Sequence, residues 1–345
     1  MPHTENKNIT QVCIAVSNYA LLLYLLLFDE DTVANHTAYF FSDTIDKNIA
    51  RRLNARYYKI KAHTWQEAVR LRLRKLQLRF FKYAMFPYLK TADIYALDLG
   101  YLSLLIGSRN YSLLSDAPDC LTMNMQSDSP LYVQQRKHAE SFTGKLQRLI
   151  FGDVFVDFYG NNHPCTDIYL GEENFSSVLE GKRVHIQSLR SLWDNADDSH
   201  RRFVLNVFDF SEDDMQLLRE RPILFFTQPL AGDFHLSDEE YSELLQRIFS
   251  HYPQQQLLIK IHPRDKFEYG KYFPDLPVFS KVINSQLMTM CGVVPKRAVT
   301  VFSSAVFDMP DSTEVDFYGP DIHPKIAANV CSVMRPKRKY NKVNL

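Results

Sequence analysis

The stretch QQLLIKIHPRD, residues 255–265, is an apolar run that ends abruptly in the polar letters HPRD. Two further stretches have the same form: PILFFTQPL (222–230) and AVTVFSSAVF (298–307). Between the first two in chain order lies SDEEYSELLQRIFSHY (237–252), which opens with the Ser-x-x-Glu pattern of a helix capping box. Short apolar strands separated by single helices predict a parallel sheet with helices on both faces.

The first half of the chain opens in the same way. ITQVCIAVSN (9–18) predicts a strand, and YALLLYLLLF (19–28) predicts a buried helix. That helix has about half of the ~20 residues needed to cross a bilayer. Short apolar stretches, among them KLQRLIF (145–151), continue the alternation. A polar, charged region from 193 to 222 then separates the two halves.

We therefore predict an α/β protein of the GT-B architecture, with two Rossmann-like domains and a cleft between them. The first half spans residues 1–205 and the second spans residues 206–334. A basic tail, 335–345, follows.

Composition excludes several classes of function. The 40 basic and 40 acidic residues balance, which argues against a nucleic-acid partner. The five cysteines are scattered without C-x-x-C spacing, and no secretory signal is visible, so we expect a cytoplasmic protein with free thiols. Neither a G-x-G-x-x-G nor a P-loop motif occurs, so a dinucleotide dehydrogenase and a P-loop enzyme are not expected.

Polar residues follow the predicted strands where ligands bind in such sheets. Gln228, His262 and the pair Ser303 and Ser304 stand there in the second half, and Asp116 stands there in the first. The serine pair suits phosphate at a strand-to-helix turn, and the alternative for Ser303 is a plain helix cap.

Two other His-Pro pairs lack an apolar strand directly before them. His163 and His323 each follow glycine-containing polar letters and are predicted to lie in turns. They end two similar stretches, VDFYGNNHP (156–164) and VDFYGPDIHP (315–324), an echo too short to establish an internal repeat.

Four motifs in order resemble those of bacterial GT-B sialyltransferases, closest to glycosyltransferase family 52, which includes lipooligosaccharide sialyltransferases. They are LLSDAP (113–118), FFTQPL (225–230), IKIHPRD (259–265) and VFSSAVF (301–307). The first departs from the family pattern of an acidic pair followed by glycine. The family's Pro-x-Glu element is absent near NSQLM (284–288).

The resemblance implies transfer of a sialic acid or related sugar from a CMP-sugar to a glycan or glycolipid hydroxyl, with inversion at the anomeric carbon. Asp116 would be the general base, with Asp98 as second candidate, and His262 would act on the leaving phosphate. The implied donor-binding residues are Gln228, Pro263, Arg264, Ser303 and Ser304. The resemblance also implies that the first half faces the acceptor and the second half binds the nucleotide donor. Arg264 pairs either with phosphate or with Asp265. No metal or other cofactor is implied, because CMP leaves with a single phosphate.

Two other functions stay open at this point. A CDP-polyol phosphotransferase shares the fold with similar His-Pro and paired-serine loops, and a non-catalytic glycan-assembly subunit is the second alternative. The basic segments RLRLRKLQLR (70–79) and RPKRKYNK (335–342) predict attachment by charge to the inner face of the membrane. A homodimer also stays open, as does a place in lipooligosaccharide or surface polysaccharide synthesis.

Overall fold

The computed structural model describes residues 8–60, 62, 64–117, 129–171, 181–329 and 339–345. Residues 335–338 of the predicted tail and Pro118 of the first motif lie outside these ranges. Contacts within the chain divide it into two compact units, Met1–Val207 and Phe208–Leu345.

In the described part of the first unit, seven parallel strands form one sheet in the order β3-β2-β1-β4-β5-β6-β7. The strands are β1 (Gln11–Ala15), β2 (Thr37–Ser42), β3 (Arg56–Tyr58), β4 (Asp93–Ala96), β5 (Tyr111–Leu114), β6 (Cys165–Leu170) and β7 (Arg183–Ile186). The helices are α1 (Asn18–Leu27), α2 (Lys47–Arg52), α3 (Trp65–Met85), α4 (Pro130–Glu140), α5 (Phe142–Phe151), α6 (Asp153–Val156), α7 (Leu189–Asn195) and α8 (Asp198–Phe208).

The second unit has six parallel strands within its described residues, in the order β10-β9-β8-β11-β12-β13. They are β8 (Ile223–Phe226), β9 (Leu257–Lys260), β10 (Val278–Phe279), β11 (Arg297–Thr300), β12 (Glu314–Phe317) and β13 (Asn341–Lys342). The helices are α9 (Glu212–Glu220), α10 (Leu230–Phe234), α11 (Asp238–Phe249), α12 (Tyr269–Tyr272), α13 (Ser285–Met290) and α14 (Pro324–Asn329).

Both sheets have the strand order of a Rossmann fold. In each, the first strand lies in the middle, the next two lie on one side and the later ones on the other. The direction in which successive strands are added to the sheet therefore reverses between β1 and β4, and between β8 and β11. Ligands bind beyond the carboxyl ends of the strands at such a reversal. The predicted α/β class and parallel sheets are confirmed.

Local sequence signals explain several elements. Helix α1 is buried along Tyr19–Leu26, as its continuous apolar letters predict, and begins where Ser17 Oγ accepts from Ala20 N at 3.2 Å. Helix α11 has both bonds of the predicted capping box, between Ser237 and Glu240. Among the described residues no helix is both long and apolar enough to span a bilayer.

Two elements could not be assigned from the sequence alone. The stretch 145–151 lies in helix α5, because its apolar residues recur at helical spacing. Residues Asn341–Lys342 of the predicted tail form β13 and pair with Asp316–Phe317. The similar stretches 156–164 and 315–324 are not a structural repeat. The first begins at the last residue of helix α6, whereas the second begins within strand β12.

Candidate functional site

The carboxyl ends of β8, β9 and β11 hold the predicted donor-side residues of the second unit. These strands are neighbours in the sheet. Side chains join their loops: His262 N donates to Thr227 Oγ1 at 2.8 Å, and Phe302 N donates to Gln228 Oε1 at 3.0 Å. Ser303 N donates to Thr300 Oγ1 at 3.0 Å. The structure thus brings Gln228, His262 and Ser303 to one edge of one sheet, held by short side-chain bonds.

The imidazole of His262 is held in one tautomer. Arg264 N donates to His262 Nδ1 at 3.1 Å, so the hydrogen of the neutral ring is on Nε2. Burial, and then the positive charges of Arg264 and Lys260, lower the pKa of His262 from 6.5 to about 4. The ring is therefore neutral at pH 7 and presents an N–H donor. The causes of this lowered pKa, burial and two neighbouring cations, are not visible in the short motif around His262.

Lys260 is a member of this group that the sequence interpretation missed. It is the last residue of β9 and is only 7% exposed. Burial lowers its pKa from 10.5 to about 8. Its positive charge is close enough to His262 to help lower the pKa of that ring. The available signal was a lysine inside the otherwise apolar letters LLIKI.

Arg264 does not pair with Asp265, one of the two partners that the sequence offered. Its guanidinium contacts Asp233 of α10, with Nη1–Oδ1 at 3.3 Å and Nη2–Oδ2 at 3.2 Å. The predicted pair with Asp265 is therefore wrong, because Asp265 instead accepts from Tyr269 Oη at 2.7 Å. Pro263 is exposed and sets the direction in which the chain leaves β9.

The two serines of the paired motif have different environments. Ser303 is buried, and its Oγ accepts from Ala305 N at 3.4 Å, capping the 3-10 turn Ser304–Asp308. This is the helix-cap alternative for Ser303. Ser304 is exposed beside it. Of the two hydroxyls, the Ser304 hydroxyl is the more accessible to a ligand.

The other His-Pro pairs provide structural comparisons. Lys325 N donates to His323 Nδ1 at 3.2 Å, the same local bond as at His262. His323 follows β12 by six residues, after a 3-10 turn. His163 is exposed in a turn that leads into the amino end of β6, the opposite edge of a sheet from the one that binds ligands.

In the first unit, Asp116 lies two residues beyond the carboxyl end of β5. It is half-buried, and its backbone oxygen accepts from Ser17 Oγ at 3.4 Å. Ser17 itself lies two residues beyond β1, the first strand of that sheet. Asp116 thus lies at the edge where a parallel sheet binds ligands, as predicted.

The Asp98 carboxylate is buried among hydrogen-bond donors, which gives it a structural role. It is 1% exposed and accepts from Tyr111 Oη at 2.6 Å, Tyr159 N at 2.8 Å, Gly160 N at 2.9 Å and Asn162 Nδ2 at 3.1 Å. Burial raises its pKa, while these donors oppose the rise. A carboxylate enclosed in this way does not reach an acceptor hydroxyl. Of the two candidate bases, the geometry favours Asp116.

Within the described ranges, no cluster of three or more histidine, cysteine, aspartate or glutamate side chains is arranged to hold a metal ion. The positive charges that act on His262 are those of Arg264 and Lys260.

Comparison with solved structures identifies the class of fold. The chain is similar to a 2,6-sialyltransferase from Photobacterium sp. JT-ISH-224, crystallised with CMP and lactose: TM-score 0.57 and 11% identity over 89% of this chain and 71% of that one. An alpha-2,3-sialyltransferase from Photobacterium phosphoreum matches with TM-score 0.51 and 12% identity, covering 94% and 95% of the two chains. The GT-B domain of a Photobacterium damselae sialyltransferase matches with TM-score 0.50 and 15% identity, covering 89% and 91%. The protein has the GT-B fold.

The family model for glycosyltransferase family 52 matches residues 25–326. The chain belongs to that family, as the ordered motifs predicted. An uncharacterised protein from Haemophilus influenzae (strain Rd) is 32% identical over 192 residues, which cover 55% of this chain and 61% of the relative.

Proposed function

We propose that this protein transfers a sialic acid, or a related sugar, from a CMP-sugar to a glycan hydroxyl, with inversion and without a metal ion. The observation that carries the proposal is the neutral His262 ring at the carboxyl end of β9, with its Nε2 hydrogen available and Lys260 beside it. Membership of family 52 supports the reaction class. The similar 2,6-sialyltransferase was crystallised with CMP as donor product and lactose as acceptor substrate, which supports the choice of donor and acceptor.

The donor role falls to the second unit. As the bond between the anomeric carbon and the phosphate oxygen breaks, its electron pair moves to the CMP phosphate. The His262 N–H donates to that oxygen, and the hydrogen bond strengthens as negative charge develops. The second negative charge that the phosphate gains as the bond breaks also raises the pKa of His262, which favours proton donation late in the step. Lys260 supplies a buried positive charge, and the Ser304 hydroxyl donates a further bond.

The acceptor role falls to the first unit. The Asp116 carboxylate removes the proton of the acceptor hydroxyl as its oxygen forms the new bond to the anomeric carbon. Attack from the face opposite the phosphate inverts that carbon. The departing group is a nucleoside monophosphate, so the charge to be stabilised is that of one phosphate, and protein cations with N–H donors suffice without metal. We propose a glycan of the bacterial surface, such as lipooligosaccharide, as the acceptor.

The proposal is tested by incubating the protein with CMP-Neu5Ac and measuring CMP release with and without lactose. Acceptor-dependent release that persists in EDTA is expected. CDP-glycerol serves as the alternative donor, and its preferred turnover would assign the protein to polyol phosphate transfer. Glycan binding without turnover of either donor would favour an assembly subunit.

Three matched histidine variants test the role proposed for His262. His262→Ala should lower kcat/KM by about 10²–10³-fold, the usual effect of removing a donor that stabilises developing charge. His323→Ala removes a ring with the same local hydrogen bond, and His163→Ala removes an exposed one. Both should remain close to wild type. Equal losses in all three variants would contradict a special role for the end of β9.

A further inference from the structure

The Asp265 carboxylate connects the loop after β9 to the loop after β8. Its Oδ2 accepts from Tyr269 Oη at 2.7 Å, and its Oδ1 accepts from Phe267 N at 3.2 Å. A further hydrogen bond joins the carboxylate to the side chain of Thr227. On the backbone, Asp265 N donates to His262 O at 2.9 Å and closes a turn. One residue therefore holds the turn that contains His262 through both its backbone and its side chain.

Thr227 is the link between this carboxylate and His262. It follows β8 directly and is 2% exposed. Its Oγ1 accepts from His262 N at 2.8 Å. A hydroxyl has one hydrogen to donate, and an ionised carboxylate is only an acceptor. The hydrogen of the Thr227 hydroxyl is therefore directed to Asp265, which leaves a lone pair of Oγ1 for the His262 N–H.

Two buried tyrosines extend the network beneath the loops. Tyr241 of α11 and Tyr269 of α12 are both buried, and their hydroxyl oxygens lie 3.0 Å apart. Tyr241 Oη also donates to Gln228 O at 3.3 Å, in the loop after β8. Asp265 thus belongs to a network that reaches the loop after β8 at two neighbouring residues. Buried networks whose members have their partners make the surrounding structure rigid.

The direction of the His262 ring depends on how its backbone is held. The backbone N–H donates to Thr227 Oγ1, the carbonyl accepts from Asp265 N, and ring Nδ1 accepts from Arg264 N. Pro263 and Arg264 are exposed, so the turn relies on these hydrogen bonds more than on packing. A misplacement of about 1 Å at a reacting group lowers a rate by up to about 10²-fold. A residue that fixes this turn therefore affects any reaction in which the ring takes part.

We propose that Asp265 is a positioning residue for His262 and acts through the Thr227 hydroxyl. By accepting the Thr227 hydrogen, the carboxylate makes Oγ1 an acceptor for the His262 N–H. Oγ1 then fixes the backbone of His262, and with it the direction of the Nε2 hydrogen. The proposal rests on the donor role proposed for His262, but its effect on the ring is measurable without turnover.

NMR of ¹⁵N-labelled histidine reports the effect on the ring. Asp265→Ala removes the acceptor of the Thr227 hydrogen, and Thr227→Val removes the hydroxyl at nearly unchanged size. Both should raise the pKa of His262 from about 4 toward 6.5, because a loosened turn exposes the ring to water. Loss of a carboxylate charge without movement would instead lower that pKa. A pKa that falls, or that stays near 4 in both variants, would overturn the proposal.

Two controls separate positioning from a general loss of stability. Thr227→Ser keeps the hydroxyl and should leave the pKa of His262 near 4. Tyr252→Phe removes a similar bond elsewhere in the second unit, where Tyr252 Oη donates to Asp316 Oδ2 at 2.9 Å. It should lower the melting temperature and leave the His262 signal unchanged, and an equal rise in pKa there would overturn the proposal. Circular dichroism checks the folding of each variant, and the two Thr227 variants decide if Asp265→Ala does not fold.

Kinetics with CMP-Neu5Ac and lactose provide a second measurement. Asp265→Ala and Thr227→Val should each lower kcat/KM by about tenfold or more, chiefly through kcat, because the ring acts on charge that develops in the transition state. The double variant should be no slower than the slower single variant, because both changes break the same chain of bonds. Losses that multiply would show independent roles and overturn the proposal. A wild type without activity would refute the proposed function alone, since the NMR titration tests the chain of bonds without turnover.

Discussion

The ring of His262 should remain neutral, with its hydrogen on Nε2, from pH 8 down to about pH 5. Its pKa is lowered from 6.5 to about 4 by burial and by Arg264 and Lys260. A shift of that size corresponds to about 3 kcal/mol against protonation. At pH 7 a group with a pKa near 4 is charged in about one molecule in a thousand. In the free enzyme His262 is therefore a hydrogen-bond donor and not an acid.

The same shift makes stability depend on pH. The folded-state pKa lies below the unfolded one, so the unfolded chain takes up a proton first as the pH falls. Stability is fully present above about pH 6.5 and is lost by up to about 3 kcal/mol as the pH approaches 4. His262→Gln should remove that contribution, so the two proteins should differ in the slope of unfolding free energy against pH. Urea denaturation across this range measures the difference.

NMR with ¹⁵N-labelled histidine reads the tautomer directly, with His262→Gln identifying the signal. The expected spectrum has a protonated Nε2 and an unprotonated Nδ1, unchanged to about pH 5. A ring that titrates between pH 6 and 7, or that carries its hydrogen on Nδ1, would refute the reasoning. That result would make His262 a conventional general acid with an ordinary pKa. Adding CMP should raise the pKa, because phosphate favours the charged ring.

Four further outcomes follow from the site. Asp116→Ala should lower kcat/KM by about 10²–10⁴-fold with CMP binding retained, and near-normal kcat would exclude Asp116 as base. Asp98→Ala should instead lower stability, by about 3 kcal/mol or more, since it leaves buried donors unsatisfied; thermal melting decides. Lys260→Met should raise stability at pH 7 by on the order of 3 kcal/mol while weakening CMP binding. This gain in stability should shrink from pH 8 to 10.5, where the wild-type lysine loses its charge. A gain in stability that does not change with pH would contradict burial as the cause of the lowered Lys260 pKa. Ser304→Ala should weaken CMP binding in calorimetry, whereas Ser303→Ala should chiefly cost about 1 kcal/mol of stability.

Local sequence patterns predicted the main strands and helices of this protein well. The apolar runs at 222–230 and 255–265 became β8 and β9, and the capping-box letters began α11 where expected. The ends of these strands then predicted that Gln228 and His262 lie close together, because the carboxyl ends of all strands in a parallel sheet share one edge. These features depend on periodicity and on neighbours within a few residues.

The errors concern contacts between residues far apart in sequence. The donors that enclose Asp98 include Tyr159 and Asn162, up to 64 residues away. The partner of Arg264 is Asp233, 31 residues earlier. The pKa of His262 depends on burial, which no short pattern reports. The helix at 145–151 was not assigned from the sequence, because a short apolar run is ambiguous between helix and strand when its period is not counted.

Strand β13 has a consequence for how the chain is made. The first unit ends at residue 207, so its sheet is able to form while the rest of the chain is still being synthesised. The second sheet is complete only when residues 341–342 reach β12. Until then β12 is an open edge, with unpaired backbone groups and an Asp316 carboxylate that lacks the Asn341 amide at 2.9 Å. A chain terminated before residue 341 would keep the sheet of its first unit, whereas its second sheet would expose β12 as an aggregation-prone edge.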